Sequence, residues 1–358
     1  MTAIDSLTAF KGVFTHPVIE TLLKESKFSR TASKVGYLLL TDASVAYGKK
    51  VKNKDRATYS FLFKRVETSV ICFLKTERLY KYIDKRVYKV LNLVDGKWLA
   101  ITQLFLSDNA KQELFLPAAL RMDLSPHLMP PYQLIETFPC HQGQCQKMVA
   151  IGKLYQSNAT SWSITLRFHL KAMLAAAKGE QYLQSQGYMH KDIKPDNLFV
   201  DDDGECQLGD FGSVSKIGEK RSHGTERYMA PERFKSSKTK LMSALWELGT
   251  TGLSLMGLDV NWDNFTEKKK KKQLTRDIIQ QYLSELRQKF IENNSDHPAL
   301  PIWLKLFGFY GGCLKLEPYE RPLLPTFIRL LESVQKEIGP QKKEQNNGQG
   351  PANRAGKA

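Results

Sequence analysis

The chain has 358 residues, 42% hydrophobic and 25% charged, ordinary globular proportions with room for about two domains, which exclude a mostly disordered chain, a collagen-like repeat and a small disulfide scaffold. Lysine and arginine number 53 against 37 aspartates and glutamates, a net charge of +16, which favours acidic partners, nucleic acid or anionic membrane. The five scattered cysteines suit a reducing compartment, no apolar run approaches the roughly 18 residues of a membrane span, and MTAIDSLTAFKGVF lacks the basic start and apolar core of a secretory signal.

Residues 1–35 read as helical or irregular, broken at Thr15-His16-Pro17. From Val35 to about Leu74 the texture turns to β-branched and aromatic residues, with a charged turn at Lys52 to Arg56, and this reads as β-hairpins. A second β stretch, RVYKVLNLVDGKWLAITQLFL, turns at Asp95-Gly96. A helix from about Asp108 to Met122 follows, then the proline-rich SPHLMPPY, then two strands flanking CHQGQC. Apolar residues at helical spacing (Ile164, Phe168, Met173, Leu174, Ala177, Leu183) predict a helix over 163–186. Short strands and turns occupy the middle, and helices return near 243–256, 276–292, 300–313 and 326–338. The last twenty residues hold almost nothing apolar and read as a disordered basic tail. Strands first and helices second is an α+β pattern with two lobes.

Basic residues cluster at Lys49 to Arg56, in the tail and in the five-lysine run Lys268 to Lys272. Such runs read as solvated loops, the last also as a contact for an acidic partner. No aromatic residues interleave them, which argues against nucleic acid. Cys140, His141 and Cys145 are too few ligands for a zinc site. The expected location is the cytoplasm, with delivery into another cell by a route lacking a cleavable signal left open.

The chemistry concentrates in YMHKDIKPDNLFV. Asp192, Lys194 and Asn197 share one loop, and Asp210-Phe211-Gly212 begins eighteen residues after Asp192. Phosphoryl transfer needs such a set: a carboxylate to take a hydroxyl proton, a lysine to neutralise the moving group, and oxygens for a hard metal ion. The first segment resembles the catalytic loop of eukaryotic-like serine/threonine protein kinases, with HKD for HRD, and the second resembles their magnesium motif. Gly224-Thr225-Glu226-Arg227-Tyr228-Met229-Ala230-Pro231-Glu232 resembles the end of their activation segment, and Pro318-Tyr319-Glu320-Arg321-Pro322 the segment whose arginine pairs with that glutamate.

The resemblance covers about residues 75–338 and implies a two-lobed protein-kinase-like fold, with a β-rich N-lobe over 75–155 and a helical C-lobe over 156–338; outside it lie the extra β-rich N-terminal segment over 1–74, of unknown role, and the tail over 339–358. It implies ATP and Mg²⁺ as cofactors and a protein substrate with a Ser or Thr acceptor, since Lys194 and Thr225 match the serine/threonine pattern. Asp192 is then the catalytic base and Lys194 the transition-state cation, while Asn197 and Asp210 hold the metal. Lys85, Ala100, Glu113, Asn197, Phe199 and Asp210 make up the cofactor-binding set. His190 is expected to be a core residue bracing the loop, and Glu232 with Arg321 an ion pair.

The small lobe departs from the family. In one register Phe61-Leu62-Phe63-Lys64 is the third strand with its lysine, which leaves a large surplus of chain. In the other, Arg86 to Val90 followed by Asp95 to Thr102 align with the second and third strands, and every segment is accounted for. Thr102 then stands where the ATP-anchoring lysine belongs, and Tyr80, Tyr82 and Lys85 occupy the glycine positions. The with-no-lysine kinases are similar at Lys85 and Thr102, so Lys85 could reach the phosphates from the neighbouring strand and pair with Glu113. Lys64, or no lysine at all, are the other readings. Tyr80 and Tyr82 are expected to narrow the phosphate approach. Ala244 replaces the aspartate that in the family braces the catalytic loop from two residues before a tryptophan, and Lys191 replaces an arginine. Phosphorylation at Ser213, Ser215 or Ser222 is therefore not expected to be required. An active kinase and a weakly active or inactive kinase-fold scaffold that binds a protein partner both remain open.

Overall fold

The computed structural model describes residues 45–47, 51–52, 58–66, 69–81, 85–92, 98–105, 107–132, 134–139, 146–162, 164–219, 224–235, 241–262 and 274–339. Several expectations lie outside them: the segment before residue 45, the Asp95-Gly96 turn, the CHQGQC loop, Ser222, the Lys268 to Lys272 run and the tail after residue 339.

The first lobe is an antiparallel sheet. Its strands are β1 (Val45–Tyr47), β2 (Val51–Lys52), β3 (Thr58–Val66), β4 (Ser69–Lys81), β5 (Lys85–Asn92), β6 (Trp98–Phe105), β7 (Leu134–Pro139) and β8 (Gln146–Lys153). They are ordered β1-β3-β4-β5-β6-β8-β7, with β2 paired to β3. The expected boundary between residues 74 and 75 falls inside β4, and Leu74 and Lys75 pair on one side with Phe61 and Ser60 and on the other with Leu91 and Val90. The N-terminal β segment therefore adds strands to the small-lobe sheet, and ladder hydrogen bonding rather than a linker crosses that boundary. Two register shifts interrupt the β4–β5 ladder between Lys75 and Tyr80, the local bending expected of bulges.

Residues 100–104 of β6 are all buried. One side of this strand receives α1 (Asp108–Ala119), which the Ser107 hydroxyl starts by accepting a hydrogen bond from the Ala110 amide at 3.1 Å. Ala110 and Leu114 of α1 pack with Leu104, Met148 and Ala150. Glu113, on the same buried face of the helix, lines the cleft.

The second lobe contains α2 (Leu166–Ser185), α3 (Pro231–Lys235), α4 (Ser243–Leu255), α5 (Arg276–Asn293), α6 (Leu300–Cys313) and α7 (Leu324–Glu337). The first of these starts at 166 rather than 163 because Thr165 accepts the Phe168 amide at 3.2 Å as its cap. The last starts two residues earlier than the spacing predicts, because Pro325 suits the first helical turn. Small strand β9 (Ser157–Asn158) precedes α2, and β10 (Tyr188–Met189), β11 (Leu198–Val200), β12 (Cys206–Leu208) and β13 (Ser215–Lys216) carry the loops between α2 and α3, in sheets β12-β11-β9 and β10-β13.

Helix α4 is the axis of this lobe, buried at Ser243 to Gly252 without a break, as expected of an apolar helix surrounded by others. Its glycines admit α6. A Cβ on Gly249 would stand 2.8 Å from Cys313 Cβ and 2.9 Å from the Tyr310 backbone oxygen. Gly249→Ala should therefore overpack the α4–α6 contact by about 1–3 kcal/mol. A thermal melt should show the midpoint falling by several degrees, and an unchanged midpoint would mean that Gly249 does not set the helix spacing. Glu232 and Arg321 form the expected pair, two-pronged at 2.6 and 2.7 Å. The guanidinium lies 5.3 Å from the Trp246 ring centroid, tying the Glu232 end of the 224–232 segment to α4.

Candidate active site

The loop that carries Asp192, Lys194 and Asn197 lies between β10 and β11 and is tied by hydrogen bonds among these side chains and to Thr225. Asp192 Oδ1 accepts the Thr225 amide at 2.7 Å. Its Oδ2 accepts Lys194 Nζ at 2.8 Å and Asn197 Nδ2 at 3.0 Å. Lys194 Nζ also donates to Thr225 Oγ1 at 2.6 Å. Burial pushes the Asp192 carboxyl up, but the Lys194 ammonium and the hydrogen bonds from Lys194 and Thr225 outweigh it and hold the carboxyl below its ordinary range. It is thus an ionised acceptor at neutral pH. His190 is wholly buried, with Nε2 2.9 Å from the Gly209 carbonyl, so it links the catalytic loop to the Asp210 segment as a core histidine.

Across the cleft, strand pairing decides which lysine arrives. Val87 is opposite Thr102 and Lys85 opposite Leu104, so period-two alternation puts Lys85, Val87, Thr102 and Ala100 on one face. Lys85 Nζ lies 3.1 Å from both Glu113 Oε1 and Asp210 Oδ1. Burial pulls its ammonium down, while the Asp210 and Glu113 carboxylates more than offset this and hold it well above the ordinary lysine range. Burial pushes Asp210 up, but Lys85, with Lys194 and His190 behind it, together hold the carboxyl low. Glu113 is raised, by burial first and despite Lys85. The backbone of Lys64 sits in β3, beyond β4 as seen from Lys85.

Lys85, Ala100, Glu113, Asn197, Phe199 and Asp210 all border one cleft of about 790 Å³, which Lys194 and Thr225 also line. Asn197 spends its amide donor on the Asp192 carbonyl and carboxylate, at 2.8 and 3.0 Å, and this leaves its oxygen as the free end of the amide. An amide oxygen and the Asp210 carboxylate are the hard donors Mg²⁺ prefers. Two carboxylates, Glu113 and Asp210, share the single Lys85 cation, and the residual negative charge favours a divalent ion. The residues fit the metal. Among the described residues no cluster of three or more His, Cys, Asp or Glu side chains offers an alternative metal site. The narrowing expected from Tyr80 and Tyr82 falls on side chains outside the described part. Of the three candidate serines, Ser215 is buried.

Other contributors escape a reading of the sequence. Gln112 Nε2, one residue before Glu113, donates to the carbonyls of Phe211 at 3.0 Å, Gly212 at 3.3 Å and Val214, so α1 grips the Asp210 loop by its backbone. Asp210 itself adopts φ of 64°, a strained conformation for a residue with a side chain. Tyr132 donates to Glu113 Oε1 at 3.3 Å and shares a hydrogen bond with Thr102. Glu180 of α2 is wholly buried and accepts the His190 amide at 3.0 Å. Burial pushes its carboxyl up to about 8. A glutamate on the apolar face of α2 was a visible signal; Gln112 and Tyr132 gave none.

A model of the protein kinase domain matches residues 86–331. The chain is 27% identical over 176 residues to the serine/threonine/tyrosine-protein kinase HT1 of Arabidopsis thaliana, covering 46% of this chain and 45% of that protein. It is 27% identical over 198 residues to a receptor-like serine/threonine-protein kinase of the same plant, covering 51% and 53%. It is 31% identical over 182 residues to the cytokinesis protein sepH of Aspergillus niger, covering 48% and 13%. The chain thus spans about half, or much less, of the length of these relatives. Among the described residues no helix is long and apolar enough to cross a membrane. The match over most of the chain, on a fold that brings the catalytic loop, the Asp210 loop and α1 to one cleft, means that the chain belongs to the eukaryotic-like protein kinase family.

Proposed function

We propose that this chain is a serine/threonine protein kinase of the cytoplasm that transfers the γ-phosphoryl group of ATP to a protein hydroxyl. Residues 75–338 are its catalytic domain and the strands before them an extension of the small-lobe sheet. The observation that carries the reading is Lys85, which reaches Glu113 and Asp210 at 3.1 Å although the third strand holds Thr102 in place of a lysine. A cation supplied from the neighbouring strand, at the point where the nucleotide phosphates would lie, supports the active reading over a scaffold.

In the reaction the acceptor oxygen bonds to the γ-phosphorus, the bond from that phosphorus to the β–γ bridging oxygen breaks, and ADP leaves. Asp192 orients the acceptor hydroxyl and takes its proton. Lys194, held between Asp192 and Thr225, faces the transferring group and offsets its charge. Thr225 carries the two contacts that align the substrate side of the cleft with the base. Lys85 anchors the nucleotide phosphates, and Glu113 fixes its ammonium. Ala100 and Phe199 line the nucleotide's side of the cleft. Asn197 and Asp210 would hold Mg²⁺, which supplies charge neutralisation on the phosphates.

The test is incubation of the purified chain with γ-labelled ATP, Mg²⁺ and a mixed Ser/Thr peptide pool, followed by phosphoamino-acid analysis. Label on Ser or Thr is expected. No transfer, together with no magnesium-dependent thermal shift by ATP, would instead establish a scaffold. Asp210→Ala is the companion variant. It removes one of the two proposed metal ligands, so ATP affinity should fall about tenfold in Mg²⁺ and become nearly independent of the metal. An Asp210→Ala protein whose affinity still responds to Mg²⁺ as the wild type does would refute the role.

A further inference from the structure

The peptide groups on either side of Asp192 are held from beneath by a buried ion pair that has no part in the chemistry itself. Arg233 of α3 and Glu247 of α4 form a salt bridge with side-chain exposures of only 3% and 2%. Arg233 Nη1 donates to the Lys191 carbonyl at 2.9 Å. Glu247 Oε2 accepts the Ile193 amide at 3.1 Å, and Thr251, one turn further along α4, donates to the Ile193 carbonyl at 3.0 Å. Lys191 is buried with φ of 68°, a conformation that persists only where the surroundings impose it. The same arginine touches the far side of the site. A Cβ on Gly224 would meet the Lys191 carbonyl at 2.6 Å and Arg233 Nη2 at 3.1 Å, so the residue before Thr225 lies directly against the brace.

We propose that the Arg233–Glu247 pair, with Thr251, positions Asp192 for catalysis. This rests on the kinase reading of Asp192. The carboxylate's direction depends on the two peptide planes beside it, and one charged unit fixes a carbonyl of the first and the amide of the second. Ala244 offers no carboxylate for this purpose. Glu247 lies three residues later, which places it on the same side of α4. A buried ion pair is weak evidence for stability. The placement of its hydrogen bonds, one on each neighbour of the base, points to geometry as its role.

The test is a cycle between Asp192→Asn and the double change Arg233→Met with Glu247→Leu, which removes both charges together and so buries no unpaired ion. With folding checked by thermal melt, the double change should lower kcat about tenfold and leave KM for ATP within twofold. In the Asp192→Asn background it should cost almost nothing further, since residues acting through one group are not additive. A purely architectural pair would lower activity by the same factor in both backgrounds, or move KM with kcat, and either result overturns the proposal. If the double variant does not fold, the near-isosteric Thr251→Val decides: kcat should fall a few-fold at unchanged KM, and an unaltered kcat overturns the proposal. Hydrogen exchange at the Ile193 amide separates this from failure of the kinase reading. If wild type transfers no phosphoryl group, selective loss of Ile193 protection relative to β11 in either variant would still show the brace, and unchanged protection would refute it.

Discussion

Asp192→Asn is expected to lower phosphoryl transfer by about 10²–10⁴-fold, the usual cost of a lost general base, while ATP binding stays near wild type. The amide has the shape of the carboxylate but cannot take the proton. One of its ends must also face the Lys194 ammonium and the Asn197 amide, both donors to Oδ2, with a donor or a weaker acceptor. The loop should survive, because Lys191 and Ile193 are held from α3 and α4. Stability should show a signed pH effect. The Asp192 carboxyl is held low in the fold, so its contribution is present above the unfolded carboxyl range and is lost as pH falls through the folded value. Wild type should melt above the variant at pH 7, and the gap should close below about pH 4, the ordinary aspartate range. Near-full autophosphorylation by the variant, or a gap that widens on acidification, would remove Asp192 from its role.

The parts of this site legible in the sequence are those that lie together along the chain. Asp192, Lys194 and Asn197 fall within six residues, and their mutual hydrogen bonds are loop-local, so spacing carried nearly all the information. Helices were legible for a similar reason: α2 and α5 each begin at a threonine cap followed by apolar residues at helical spacing. Lys85 was harder. Its place in the cleft depends on which of two strand registers holds, and its partner Asp210 lies 125 residues away. Glu247 and Arg233 were illegible as a pair, because α4 is buried on all sides and nothing in its sequence says which buried polar group meets which loop. The N-terminal strands read as β structure, but whether they formed their own sheet or joined the small lobe was a matter of ladder pairing, which β4 settles by bonding on both edges.

Lys85→Met should weaken ATP binding and transfer by about one to two decades, since a charge-assisted contact contributes roughly 1.5–3 kcal/mol. The mechanism reaches beyond the lost contact. Glu113 and Asp210 both lie 3.1 Å from this ammonium, and without it two carboxylates face each other with no cation between them. Asp210, now held low mainly by Lys85 against burial, should rise, so the acid limb of the rate profile should move to higher pH in the variant. Lys64→Met, on a strand beyond β4, should change neither affinity nor the profile. The compensating experiment exploits the β5–β6 register. Thr102 is buried on the same face of the sheet as Lys85 and is opposite Val87, so Lys85→Gly with Thr102→Lys moves the ammonium to the adjacent strand while keeping it directed at Glu113. That double variant should recover part of the activity that Lys85→Met loses. The measurement must span limiting and saturating ATP, because a defect confined to binding vanishes at saturation. A Lys85→Met protein with wild-type affinity at limiting ATP would leave the phosphates to another lysine or to the metal ligands alone, and the carboxylate cluster around Lys85 would then be architecture.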